Sequence, residues 1–210
     1  MKKLLLALVL LFNLLSYSQE KQIFENPKMV EIIATHKLVA ILPFKVTIAY
    51  KKLPKGYNED SRIAEEQSMS TQMQSGLYTY LLRKSDDYTV QVQDVDKTNT
   101  LLRKAGLYDK LNETSAEDIA QVLGVDAVIK CSYAYEKTGS EGAALVKTLL
   151  IGFGTGKVAT GGLTMQVNNG VDGELVWRFY KQMAEDVLSS PAAMMERMMR
   201  KVGRNFPYEK

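Results

Sequence analysis

One run constrains this chain more than any other: LVAILPFKVTIAY, residues Leu38 to Tyr50. It is apolar and rich in β-branched side chains, without the polar alternation of a half-exposed strand. Such a run belongs in the middle of a sheet that is covered on both faces. Pro43 interrupts it, because proline donates nothing to a strand ladder and sits at strand ends or bulges. The strand is therefore expected to end or bend near Pro43 and to resume from Lys45 to Tyr50.

The rest of the chain supplies the cover. Asn26-Pro27 reads as a cap and first turn of a short helix carrying Met29, Val30, Ile32 and Ile33. After the turn LPKGYNED, Asp60 or Ser61 caps a long helix to about Lys84, with Ile63, Met73, Leu77 and Leu81 at helical spacing. Tyr88, Val90 and Val92 alternate with polar residues and read as a strand. Helices follow from Asp96 to Ala105, stopped by Gly106, and from a Ser115 cap with Asp118 three positions on to Gly124. VDAVIKCSYAY is the next central strand. LTMQV, the turn NNGVDG and ELVWRFYKQM form a hairpin. A last helix runs from Pro191 towards Gly203. The order β-α-β-α-α-β-β-β-α predicts a single-domain α/β sandwich with a mixed sheet. Its first three strands, joined through helices, should be parallel, and the last two antiparallel.

Lys2 and Lys3, an apolar stretch from Leu4 to Leu15, and Ser16-Tyr17-Ser18 form the three regions of a cleavable export signal. The apolar stretch is shorter than the roughly 20 residues a spanning helix needs. Cleavage is expected after Ser18, giving a signal at residues 1–18, a short helical segment at 19–37 and the α/β domain at 38–207. The single Cys, Cys131, is far from the cleavage point and cannot serve as a lipid anchor, so a periplasmic or secreted protein is expected. Losing Lys2 and Lys3 removes two of the three excess positive charges, and no basic cluster remains that would hold nucleic acid. One Cys and one His cannot make an ordinary zinc site or an internal disulfide. Cys131, inside an apolar strand, reads as a packing residue.

Other constellations thin out under inspection. In IGFGTGKVAT, Gly152 and Gly156 enclose three residues where a phosphate loop needs four, and Val158 stands where that loop has a hydroxyl. Residues 139–162 are therefore a Gly-rich loop with two readings: a connection folded onto the body, or an oligomer- or membrane-contacting segment presenting Leu150 and Phe153. Met194, Met195, Met198 and Met199 fall on one helix face. Adaptable packing, a partner groove and cuprous-ion binding all use such a face, and no Cys or His accompanies it to favour the metal. Adjacent acidic pairs such as Glu65-Glu66 diverge by about 100° on a helix and face no common substrate. His36 reads as a partner for the end of the short helix. No nucleophile, base and oxyanion donor assemble, so neither an enzyme nor a cofactor is expected.

Five segments together, VAILPFKV, YTVQVQDVDKTNTLLRKAGL, SAEDIAQVLGVDAVIKCSYAY, DGELVW and NFPYEK, resemble the exported α/β domain of one envelope group. Its members are the curli-secretion lipoproteins, the lipoprotein activators of penicillin-binding proteins and the amino-terminal domain of TolB. The resemblance spans about residues 38–207 and is one of fold, not of catalytic motif. It implies a non-enzymatic accessory protein of envelope assembly or secretion that acts through an envelope protein partner, with room for a homo-oligomer. The alternative it carries is a subunit of an oligomeric transport or secretion complex whose Gly-rich segment contacts membrane. The curli channel uses two long alternating hairpins per subunit, and this chain offers only Ala143 to Thr160. Trp177 and Tyr180 join Leu150, Phe153 and the four methionines as candidate contact residues.

Overall fold

The break at Pro43 organises the sheet. In the computed structural model, which describes residues 21–50, 56–137, 161–183, 191–202 and 205–210, the run divides into β2 (Leu38–Ile41) and β3 (Lys45–Tyr50). Both lie parallel to different stretches of one long strand, β5 (Ala127–Lys137). On its other side β2 pairs in parallel with the two-residue β4 (Gln91–Val92). Beyond β5 come β6 (Gly161–Asn169) and β7 (Leu175–Met183), both antiparallel. A strand that the sequence reading placed in a helical segment, β1 (Lys21–Glu25), closes the far edge against β7. The path is β1-β7-β6-β5-β2-β4, with β3 on β5.

The expected parallel and antiparallel pairings are therefore present, but the strand expected over residues 88–92 is only Gln91–Val92, Tyr88 making an isolated bridge to Glu209, and two further boundaries differ. Residues 19–37 are not simply helical: the helix α1 is confined to Met29–Ile33, because Asn26 Oδ1 accepts Lys28 N at 2.8 Å and holds the chain in a turn first. Helix α2 (Glu59–Arg83) starts earlier than expected, since Asn58 rather than Asp60 or Ser61 is its cap and accepts Ser61 N at 2.9 Å. Helices α3 (Val95–Lys104), α4 (Ala116–Leu123) and α5 (Pro191–Val202) complete the set. Ser115 accepts Asp118 N at 3.0 Å to start α4, and Gly124, at φ 65°, ends it in the left-handed region where glycine carries no penalty.

Handedness decides which face each helix covers. The path crosses from β3 to β4 through α2, then reverses to β5 through α3 and α4. With right-handed crossovers, a reversal of direction puts the second pair of helices on the opposite face. One core accordingly packs α2 and α5, through Met73, Leu77, Met198 and Met199, on Ile41, Ile129, Met165 and Trp177. The smaller core packs α3 and α4, through Leu102, Ile119 and Leu123, on Ala40, Leu42 and Val128. Among the described residues no helix covers the β6, β7 and β1 part of this second face; α3 and α4 lie over the β2–β4 side, the first residues of β5 and the end of β6.

Candidate interaction surface

Open α/β sheets hold ligands outside the carboxyl ends of parallel strands, where the path reverses. Here that place lies past Ile41 and Val92, and side-chain amides fill it. Gln74 of α2 donates to Ile41 O at 2.8 Å, while Asn99 of α3 donates to Gln74 Oε1 at 2.9 Å. Beside them Gln93 donates to Leu123 O at 3.0 Å and Thr98 to Gln93 Oε1 at 2.9 Å. All four are buried. Each of these four side chains finds a partner inside the protein, and the Gln74–Asn99 pair ties helices on opposite faces to the strand between them.

A second buried cluster joins three distant segments. His36 lies between the Tyr208 hydroxyl, 2.7 Å from Nδ1, and Asn169 Oδ1, 3.2 Å from Nε2. Asn169 Nδ2 donates to Asp172 Oδ1 at 2.9 Å, so the amide oxygen faces the ring and His36 Nε2 is the donor. Nδ1 then accepts from Tyr208. Burial lowers the His36 pKa below its ordinary value, against the opposing pull of Asn169, Asp126 and Asp172. His36 is thus a neutral internal brace rather than the helix-end partner expected from its position.

The half of the sheet that no described helix covers on this face is a different kind of surface. Ladder partners share a face, and two rows run across it. One row is Lys45, Ser132, Thr164, Tyr180 and Gln22. The next is Lys130, Gln166, Arg178 and Phe24. Every one of these side chains is partly or fully exposed, and Phe24 keeps 46% of its surface. The intervening residues Cys131, Tyr133, Leu163, Met165, Val167 and Phe179 are buried on the other face. Period-2 alternation therefore marks the two faces of β5, β6 and β7, and could have been read from LTMQV and WRFY.

The edge beside this face is closed. Glu66 of α2 accepts Ile48 N of β3 at 2.8 Å, and Arg62 holds that carboxylate at 2.6 Å. Tyr57 donates to Glu65 at 2.7 Å, and Tyr50 shares the same carboxylate. Burial and Glu65 push the Tyr50 phenol up to about 12. The Glu66 side chain thus occupies the Ile48 donor that a strand added to β3 would need.

Of the residues expected at a contact surface, Tyr180 lies on the open face. Trp177 does not: none of its surface is exposed, and it stacks on Phe179 with centroids 6.0 Å apart and meets Phe206 edge-on. Its row position beside Val167 turns it into the large core, where Nε1 has no hydrogen-bond partner among the described residues. Met198 and Met199 are likewise core residues, packed between α5, α2 and the sheet. The backbone of Met194 and Met195 lies in α5. Leu150 and Phe153, with most of the Gly-rich loop, fall outside the described residues. Cys131 is buried, and burial pushes its thiol well above the ordinary range, in keeping with a packing role. Lys45, Lys130, Arg178 and Phe24 were not singled out in the sequence, because only the register shows that they share a face.

Among the described residues no helix is long and apolar enough to cross a membrane, and no group of His, Cys, Asp or Glu side chains is arranged to hold a metal ion. No family model matches the chain, and no curated protein matches it. Solved structures similar to it include lipoprotein GNA1162 from Neisseria meningitidis, 12% identical with a TM-score of 0.43 over 80% of this chain and 95% of that one. The PelC dodecamer from Paraburkholderia phytofirmans is 12% identical, with a TM-score of 0.41 over 92% of this chain and 100% of that one. The LpoB C-terminal domain from Salmonella enterica is 11% identical, with a TM-score of 0.37 over 76% of this chain and 94% of that one.

Proposed function

We propose that this chain is an exported, non-enzymatic accessory protein of the cell envelope that works through protein–protein contact, and that the open sheet face makes the contact. The observation that carries the reading is the two exposed rows on β3, β5, β6, β7 and β1. They place Tyr180, Phe24 and Arg178, residue types that protein interfaces favour, on a rigid sheet. The filled crevice supports it: the amides of Gln74 and Asn99 occupy the position where this class of sheet usually admits a small ligand. The closed β3 edge turns recognition towards the face.

The test is site-specific photo-cross-linking in intact cells. A photoreactive residue at position 180 on the open face is expected to give one discrete adduct, whereas the same residue at position 122, on the exposed side of α4, gives none. Equal labelling from both positions, or no adduct from position 180, would overturn the reading.

A further inference from the structure

We propose that the open face docks an acidic segment of a partner polypeptide, whose carboxylates pair with Lys45, Lys130 and Arg178. This rests on the contact reading above and assigns the chemistry of the partner. The two rows hold three cations, and none of their nine side chains is a carboxylate. None of the three cations is ion-paired among the described residues, although Arg62, Arg83 and Lys84 elsewhere on the surface all are. Lys130 and Arg178 stand two strands apart, about 10 Å, with Gln166 between them. That spacing lets two carboxylates of one segment reach both cations, while Thr164 and Tyr180 in the neighbouring row offer hydroxyl donors.

Lys130 is the centre of the site. It is half-buried between strands, and burial holds its ammonium below the ordinary lysine value, with no carboxylate among the described residues to offset it. A cation already stripped of part of its water gains more from an incoming carboxylate than a fully solvated one does. The charge count separates a polypeptide from a lipid surface. Anionic leaflets are held by clusters of about four to eight basic residues beside one another, and this face has three spread over several strands.

The experiment uses the isotope-labelled mature protein and a synthetic peptide rich in Asp and Glu. Its addition is expected to shift the backbone resonances of Lys130, Gln166 and Arg178, and affinity should fall about tenfold or more in Lys130→Glu/Arg178→Glu and on raising the salt. In cells, the adduct from position 180 should disappear in the same double variant. Lys130→Gln/Arg178→Gln, checked by thermal melting, serves if the reversed charges disturb folding. Shifts that map away from the two rows would overturn the proposal. So would phosphatidylglycerol vesicles that bind this face when the peptide does not, or self-association of the protein through the same face. An adduct that forms in the wild type and persists in both double variants overturns the acidic partner while leaving the contact reading intact. No wild-type adduct overturns the contact reading itself.

Discussion

Replacing Tyr208 by Phe tests how the amino-terminal segment, the β6–β7 hairpin and the chain end are held together. Tyr208 has none of its surface exposed, and its hydroxyl is the donor to His36 Nδ1 at 2.7 Å. Removing that one oxygen leaves a buried ring nitrogen without a partner, which costs about 1–3 kcal/mol, while the ring itself still packs on Phe206. For a protein of this length each kcal/mol moves the melting temperature by about 2–4 °C, so a fall of roughly 6 °C at pH 7.5 is expected for Tyr208→Phe. The sign of the pH dependence follows from the same geometry. The folded protein binds a proton at His36 less readily than the unfolded chain does. The His36 contribution to stability is therefore complete above the ordinary value of 6.5 and is lost as the pH falls from there through the lowered folded value. Because the chain contains one His, a single imidazole resonance reports both its pKa and its tautomer. A melting temperature unchanged by Tyr208→Phe, or a His36 pKa at or above 6.5, would refute the brace.

Gly170→Ala should also destabilise the fold, since the added Cβ would lie 2.7 Å from Asp126 O and 2.9 Å from Ala120 Cβ, where the hairpin meets α4. A melting temperature equal to that of the wild type would show that the hairpin shifts freely. Gln74→Leu strands Asn99 and Ile41 O in the filled crevice and is expected to cost about 1–3 kcal/mol by denaturant melts. The additional change Asn99→Leu should recover part of that loss, and a double variant worse than the sum of the single ones would argue against the pairing.

Local signals carried the element boundaries best where the chemistry is local. The Ser115 cap and the left-handed Gly124 are short-range devices, as is the ladder break at Pro43, and each stands where the residue types place it. Apart from the α2 cap, which is Asn58 rather than Asp60 or Ser61, the misreadings are non-local. β1 has no strong strand pattern of its own and is a strand because β7 supplies its hydrogen bonds. His36 looked like a helix end because its partners, Tyr208 and Asn169, are 172 and 133 residues away. Trp177 looked like a contact residue although the alternation in WRFY sets it with Phe179 on the face opposite Arg178 and Tyr180, the face that Phe206 packs against.

The sequence by itself therefore determined the layered α/β class, the parallel and antiparallel portions of the sheet, and the packing role of Cys131. Each of these follows from periodicity, turn chemistry and crossover handedness. Only the tertiary structure decided which part of the sheet the described helices cover, that Gln74 and Asn99 fill the crevice, and that Lys45, Lys130 and Arg178 share one face. Those outcomes depend on strand register and on how crossovers reverse across the sheet. Shifting a strand's pairing by one residue would exchange its buried and exposed side chains without altering a single letter of the chain.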